Sequence, residues 1–314
     1  MQPAGAIPEL QGISFRVQRY YKKANYSKIH FKNCKIMIKK SFKTSPLPFR
    51  GQKRYYVKRF TSVLDTCKDV QVVVDLFGGS GLLSRVAKDV LPNARVIYND
   101  FDYFCRRVEN IDRTNQLCAE INPLTKGIED NKRIPDDIKQ QCLKLMRKYE
   151  QTGAVDYITL SASLLFSGNW ATNYEQFAKQ TFYNRAVNNH YDATGYFDGL
   201  EITHKDYREL FAEFKDQTNV LFLLDPPYLQ TECSAYKSDT YWQLKDYLDV
   251  LSMLKGTKYI FFTSGKSQII DLCKWINTNF PNAELLKDAE LWEQNSRVND
   301  FNSYKDIMIA KVTT

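Results

Sequence analysis

The chain has 314 residues, 43% of them hydrophobic, and a formal net charge of +8. That length supports one large domain or two modest ones with a sizeable core, and no apolar run is long enough to read as a membrane span. The start, Met1–Gly12, lacks the basic and apolar regions of a signal peptide. Seven scattered cysteines, never in Cys-x-x-Cys spacing, read as reduced thiols of a cytoplasmic protein, and three histidines far apart in sequence argue against a zinc site.

The charge is uneven. Residues 1–45 carry ten Lys/Arg against the single acid Glu9, whereas the rest carries 34 bases and 35 acids. Tyr20, Tyr21, Tyr26, Phe31 and Phe42 are interleaved with those lysines. A basic aromatic segment suits a polyanion, since lysines neutralise phosphates and release counterions. A solvated basic face, such as that of a hairpin over Lys28–Lys40, is the competing explanation.

From Val70 an α/β pattern begins. Val72–Leu76 reads as a buried strand, followed by Gly78-Gly79-Ser80-Gly81 and a helix over Leu82–Leu91. Ala94–Tyr98 reads as a second strand ending at Asn99-Asp100, with a charged helix from about Tyr103. Strands alternating with helices predict a parallel, doubly wound sheet. Between about 120 and 200 the alternation stops: the segment is polar, with an amphipathic helix near Ile138–Tyr149 and a stretch rich in Asn, Tyr and Gly. It then resumes with a strand at Val220–Leu224, a helix at Tyr241–Leu254, a strand at Tyr259–Thr263, a helix at Gln268–Phe280 and a closing strand at Asp306–Val312. The middle segment therefore reads as an insertion into one sheet.

Two strand-to-loop junctions carry the chemistry. Asp75-Leu-Phe77-Gly78-Gly79-Ser80-Gly81 is a strand–turn–helix whose glycines permit positive φ and close approach of a ligand to the backbone. It matches neither Gly-x-x-x-x-Gly-Lys-Ser/Thr nor Gly-x-Gly-x-x-Gly, which disfavours nucleoside triphosphate and dinucleotide sites. Asp100, at the end of the next strand, could accept hydrogen bonds from a ribose diol, so a nucleoside ligand is expected. A tight turn with a coincidental acid would look the same. The second junction is Leu221–Tyr228, an apolar strand ending in Asp225-Pro226-Pro227-Tyr228. The prolines forbid the strand to continue and leave backbone carbonyls free to face something else.

These motifs resemble the Dam-like α group of S-adenosylmethionine-dependent DNA adenine-N6 methyltransferases. Asp75-x-Phe77-x-Gly79-x-Gly81 resembles motif I, Asn99-Asp100 the acid of motif II, and Asp225-Pro226-Pro227-Tyr228 the catalytic tetrapeptide. Pro48-Phe49-Arg50-Gly51-Gln52-Lys53 is similar to the N-terminal motif X, which implies that Phe49, Gln52 and Lys53 hold the methionine end of the cofactor. Asp206 and Tyr207 stand where the family contacts the cofactor adenine. Phe261–Gly265 and Asn295–Lys311 resemble its late sheet motifs more loosely. The resemblance covers 45–110 and 200–312. It implies a Rossmann-like methyltransferase sheet formed by 45–114 and 201–314, an inserted, mainly helical target-recognition domain at 115–200, and a basic extension at 1–44 outside the family core.

The resemblance further implies S-adenosylmethionine as methyl donor, S-adenosylhomocysteine as product, no metal, double-stranded DNA as partner, no membrane, and a bacterial or phage-encoded enzyme acting in the cytoplasm. A cognate restriction endonuclease is compatible with it. Asp225 and the Pro226 carbonyl would take the two protons of the adenine amine, and Tyr228 would stack on the flipped base. Leu229–Thr240 reads either as a lid or as an ordinary connector. Asn169, Asn173, Asn184, Arg185, Asn188 and Asn189 are candidates for reading base edges. The rivals are an RNA guanine-N2 methyltransferase, a cytosine-N4 enzyme, a protein-glutamine methyltransferase and a catalytically silent nucleic-acid binder.

Overall fold

The structure, a computed structural model, describes residues 41–166, 168–185, 190–228, 242–297 and 303–313. The extension up to residue 40, the Leu229–Thr240 loop, Asn188 and Asn189 lie outside them. A short 3-10 turn at Arg54–Tyr56 leads into α1 (Val57–Leu64). Then come β1 (Val72–Asp75), α2 (Leu82–Val90) and β2 (Arg95–Asn99). Between β2 and β3 (Leu200–Thr203) lie α3 (Phe104–Glu109), α4 (Ile111–Thr125), α5 (Asp136–Glu150), α6 (Tyr157–Leu164) and α7 (Tyr174–Ala178). The remainder is α8 (Tyr207–Phe214), β4 (Val220–Leu224), α9 (Leu244–Leu254), β5 (Lys258–Ser264), α10 (Ile269–Asn279), β6 (Glu290–Arg297) and β7 (Ser303–Lys311).

The strands form a seven-stranded sheet in the order β3-β2-β1-β4-β5-β7-β6. Side chains alternate across a strand, so Val72 and Val74 enter one apolar cluster and Val73 the other; β4 divides Phe222 from Leu221 and Leu223 in the same way. One cluster takes the apolar faces of α8, α9 and α10, and the opposite one takes those of α1 and α2. Each large side chain buried there contributes roughly 1.5–3 kcal/mol relative to exposure.

The sheet is parallel, as the alternation of strands and helices predicts, except at one edge. β3, β2, β1, β4 and β5 are parallel neighbours, but β7 runs antiparallel to both β5 and β6. The connection from Arg297 to Ser303 is too short for a crossover, which needs a dozen or more residues, so β6 and β7 must pair as a hairpin.

Helices α4 to α7 enclose a separate apolar cluster running from Leu117 to Phe182, including Cys142, Met146, Leu160 and Phe177. α4 crosses the expected boundary at residue 115, and Leu200 already belongs to the sheet as the first residue of β3. The segment's return to β3 is bonded to α2. Arg85, 2% exposed, donates to the carbonyls of Tyr196 at 3.3 Å and Asp198 at 2.7 Å. Tyr196 Oη donates to the Ser80 carbonyl at 3.0 Å.

Candidate active site

The sheet order reverses at β1, which has β2 on one side and β4 on the other. Asp75 pairs with Leu223, and the Leu76 amide bonds the Leu223 carbonyl at 3.1 Å. The loops leaving β1 and β4 therefore emerge side by side at the carboxyl edge, where open α/β sheets bind ligands.

The turn after β1 is built against β2. A Cβ on Gly78 would lie 2.3 Å from the Tyr98 ring, and Gly81 has φ +72° as it opens α2, so both positions require glycine. Tyr98 Oη lies 2.8 Å from the Gly79 carbonyl. Asn99 joins the strand ends, donating to the Leu76 carbonyl at 3.0 Å and the Lys205 carbonyl at 2.9 Å. Phe49 lies over the turn, 3.1 Å from where a Gly79 Cβ would stand, and meets Phe104 edge-on at 5.6 Å.

Asp75 is fully buried. Ser84 donates to its Oδ2 at 2.6 Å, while Oδ1 makes no hydrogen bond of good geometry, although the Phe77 and Ser84 amides approach closely enough to offset part of the burial cost. Burial pushes the Asp75 carboxyl up to about 7.

The expected ribose acid is differently engaged. Asp100 has no exposed surface, and its carboxylate accepts from Phe104 N at 2.5 Å, Cys105 N at 2.9 Å and Tyr98 Oη at 3.0 Å. It is turned towards the first residues of α3. An acid just past a strand serves a following helix as readily as a ligand. Asp206 caps α8, accepting from Arg208 N at 2.8 Å. Tyr207 points into the core, with Phe77 at 4.9 Å and Trp242 stacked at 5.4 Å. Gln52 is bonded within its own loop, accepting from Ser45 N at 3.0 Å.

The residues after β4 meet the segment before α1. Lys53, 6% exposed, donates to the Gly51 carbonyl at 2.7 Å and pairs with Asp225 Oδ2 at 2.6 Å. The same ammonium lies 5.2 Å from the Tyr228 ring centre and 5.9 Å from that of Phe262. Burial holds the Asp225 carboxyl above the usual carboxylate range; Lys53 pulls it down, and Asp306 adds to the rise. Pro226 is buried and Pro227 exposed. A cavity of about 490 Å³ is lined by Phe49, Gln52, Lys53, Tyr228, Asp306 and Trp170 among others.

Sequence reasoning missed Trp170 and Asp306, which line the cavity, and the buried Tyr56, whose hydroxyl bonds the Asp306 carbonyl. Asp306 left a signal, as an acid abutting the apolar run Ile307–Ala310. Of the proposed base readers, Asn173 caps α7 and Asn184 donates to the Ile128 carbonyl at 2.6 Å. Asn169 is exposed and Arg185 half-buried. Among the described residues no group of three His, Cys, Asp or Glu side chains is placed to hold a metal ion, and no helix is long and apolar enough to cross a membrane.

The residues fit the methyl donor that the motifs imply. Glycines without room for a side chain, the buried Asp75 carboxyl with one oxygen lacking a hydrogen bond of good geometry and the aromatic Phe49 make a cradle suited to an amino-acid end and a flat nucleoside.

Two comparisons with known proteins agree with this geometry. The family model of the D12 class N6 adenine-specific DNA methyltransferases matches residues 49–254. A Haemophilus influenzae (strain ATCC 51907 / DSM 11121 / KW20 / Rd) protein named "Putative methyltransferase" is 40% identical over 238 residues, which cover 74% of this chain and 79% of that protein. The matched span includes the glycine turn, the Lys53–Asp225 pair and Tyr228, so the chain belongs to the D12 class N6 adenine-specific DNA methyltransferase family.

Proposed function

We propose that this enzyme transfers a methyl group from S-adenosylmethionine to the N6 amine of an adenine flipped out of double-stranded DNA at a specific sequence. The observation that carries the reading is the position of Asp225: an acid at the end of β4, beside the glycine turn of β1 and ion-paired to Lys53, which lines the cavity together with Tyr228. The cofactor supplies an electrophilic methyl group on a sulfonium. Phe49, Gln52, Lys53, Asp75, Ser80, the Phe77–Gly81 turn, Asp100, Asp206 and Tyr207 form its side of the cleft. Tyr207 acts there through the Phe77 ring packed on it, and Asp100 through the hydrogen bonds that fix Tyr98 and the start of α3.

Methyl transfer is an in-line displacement, so the protein contributes mainly positioning and electrostatics. The adenine amine is a weak nucleophile because its lone pair is delocalised into the ring. Donating its protons to the Asp225 carboxylate and the Pro226 carbonyl favours pyramidal nitrogen and aims the lone pair. That requires Asp225 ionised; burial opposes this and the adjacent Lys53 ammonium favours it. Tyr228 offers a face for the base, offsetting part of an unpairing cost of a few kcal/mol.

On this reading the helical insertion at about 115–200 reads the sequence and the basic segment 1–44 neutralises phosphates. The separate apolar core of α4 to α7 supports the first assignment and the charge asymmetry supports the second. The enzyme then works wherever its DNA lies, alone or beside a cognate endonuclease. Incubating the protein with unmethylated duplex and isotopically labelled S-adenosylmethionine, then digesting to nucleosides for mass spectrometry, tests the proposal. Label in N6-methyladenine is expected. Label in N4-methylcytosine, or in guanine only when RNA is supplied, would move the enzyme to one of the rival chemistries.

A further inference from the structure

Asp306 takes no part in the reactions described so far, yet it stands inside the site. It lies on β7 opposite Ser264 of β5, is 9% exposed, and lines the same cavity as Lys53 and Tyr228. Its backbone is held in place: Tyr56 Oη, in the turn that follows Lys53, is shared between the carbonyls of Asp306 and Trp292. Its side chain reaches the other way, with Oδ1 3.5 Å from Tyr228 Oη.

Tyr228 needs an external hold. It follows two prolines that supply no N–H donors to any ladder, so the side chains around the ring orient it, its hydroxyl meeting both the Asp225 and the Asp306 carboxyl. A carboxylate acceptor for the phenol does two things a neutral wall would not. It fixes the ring plane through the hydroxyl, and it makes the ring more electron-rich, which suits stacking and the Lys53 ammonium at 5.2 Å. Retaining a second carboxyl near Asp225 in a buried corner is costly, which speaks for a use beyond packing.

We propose that Asp306 is a positioning residue for methyl transfer, holding the Tyr228 hydroxyl so that the phenol ring already stands in the stacking orientation when the target base arrives. The inference rests on Tyr228 acting as the stacking face, and it is a preorganisation argument: orientation fixed in advance is not lost on binding.

The experiment is a double-mutant cycle on the full chain, with wild type, Asp306→Ala, Tyr228→Phe and the pair, plus Asp306→Asn as the conservative variant. Methyl transfer is measured on a duplex with one target site, and fluorescence on the same duplex carrying 2-aminopurine at the target position. Asp306→Ala and Tyr228→Phe should each lower kcat/KM for DNA by about five- to tenfold, the pair should fall no further, and affinity for S-adenosylmethionine should hold. Asp306→Asn, whose amide oxygen still accepts from the phenol, should recover most of the rate. Emission from the flipped 2-aminopurine should rise in Asp306→Ala and in Tyr228→Phe, because a loosely held ring quenches less. Full additivity of the two losses, or wild-type kinetics and fluorescence in Tyr228→Phe, overturns the proposal. If Asp306→Ala does not fold, Tyr228→Phe and Asp306→Asn decide alone: a Phe variant at wild-type rate, or an Asn variant as slow as the Phe variant, counts against it. A wild-type enzyme that labels no adenine removes the underlying reading as well, a result separable from an active enzyme with an additive cycle.

Discussion

The Lys53 ammonium lies 2.6 Å from Oδ2 of Asp225, joining the loop before α1 to the end of β4 through a pair in which the lysine is almost wholly buried. Burial alone would leave Asp225 neutral over a wider pH range, and the adjacent cation opposes that. Because methyl transfer needs the ionised carboxylate, the acidic limb of the pH–rate profile should lie above the ordinary carboxylate range. Lys53→Met removes the opposing cation, so the limb should move to higher pH. Superimposable profiles for the two proteins would remove the pair from the reaction.

Asp225→Ala should leave S-adenosylmethionine binding measurable by calorimetry while cutting methyl transfer by roughly 10²–10³-fold, since its contact is most valuable as charge develops on the amine. An Ala variant with wild-type turnover would contradict the proposed mechanism.

Tyr228→Ala should be milder and should depend on the substrate. Placing the target adenine in a mismatch lowers the cost of flipping, so the mismatch should restore part of the lost rate. The comparison is the ratio of mutant to wild-type kcat/KM on matched and mismatched duplexes, which should rise on the mismatch. An equal ratio on both would mean that Tyr228 acts on something other than extrusion of the base.

Asp75 makes a prediction about stability. Its carboxyl is pushed up to about 7 by burial, so the folded state favours the protonated form. The associated stability is fully present below the ordinary carboxylate pKa and is lost as pH rises through about 7, a swing of roughly 4 kcal/mol at most. The ligand-free protein should melt at a lower temperature at about pH 8.5 than at about pH 6, and Asp75→Asn should shrink that difference. Thermal denaturation of both proteins across that range measures it; parallel curves would show that Asp75 titrates normally.

For specificity, Arg185→Ala should relax preference at one base pair, costing roughly 1–3 kcal/mol on the cognate site. Neutralising Lys22, Lys23, Lys39 and Lys40 should instead weaken binding alike on all sequences and flatten its salt dependence. Sequencing methylated products from a randomised library separates the two effects. Unchanged motifs in Arg185→Ala and in the corresponding Asn169 variant would place recognition outside this part of the insertion.

What could be read from the sequence follows from which forces are local. β1 and β4 are buried on both faces, so Val72–Asp75 and Val220–Leu224 stand out as apolar runs. β3 and β6 lie at the two edges of the sheet, and neither Leu200–Thr203 nor Glu290–Arg297 carries such a run. The glycine turn and the proline pair announce themselves because backbone geometry demands particular residues there. Lys53 with Asp225, and Tyr228 with Asp306, are contacts between distant parts of the chain, and no spacing rule reveals them. Asp100 is ambiguous in sequence for another reason: its position serves α3 and a ribose equally well, and in the structure three donors bond it to Tyr98 and the start of α3.

The bonds from Arg85 to the 195–198 segment give the molecule a stiff joint. Because α2 begins at the glycine turn, the return path of the insertion is riveted to the same helix that, on the proposed reading, frames the methyl-donor side of the cleft. A duplex gripped by the insertion would be held at a set distance from that turn, much as a workpiece is held against a fence. Any tolerance for imperfect DNA then has to come from the base and the loops that touch it, and loosening Arg85 would blur the registration between where the DNA is held and where the methyl group is delivered.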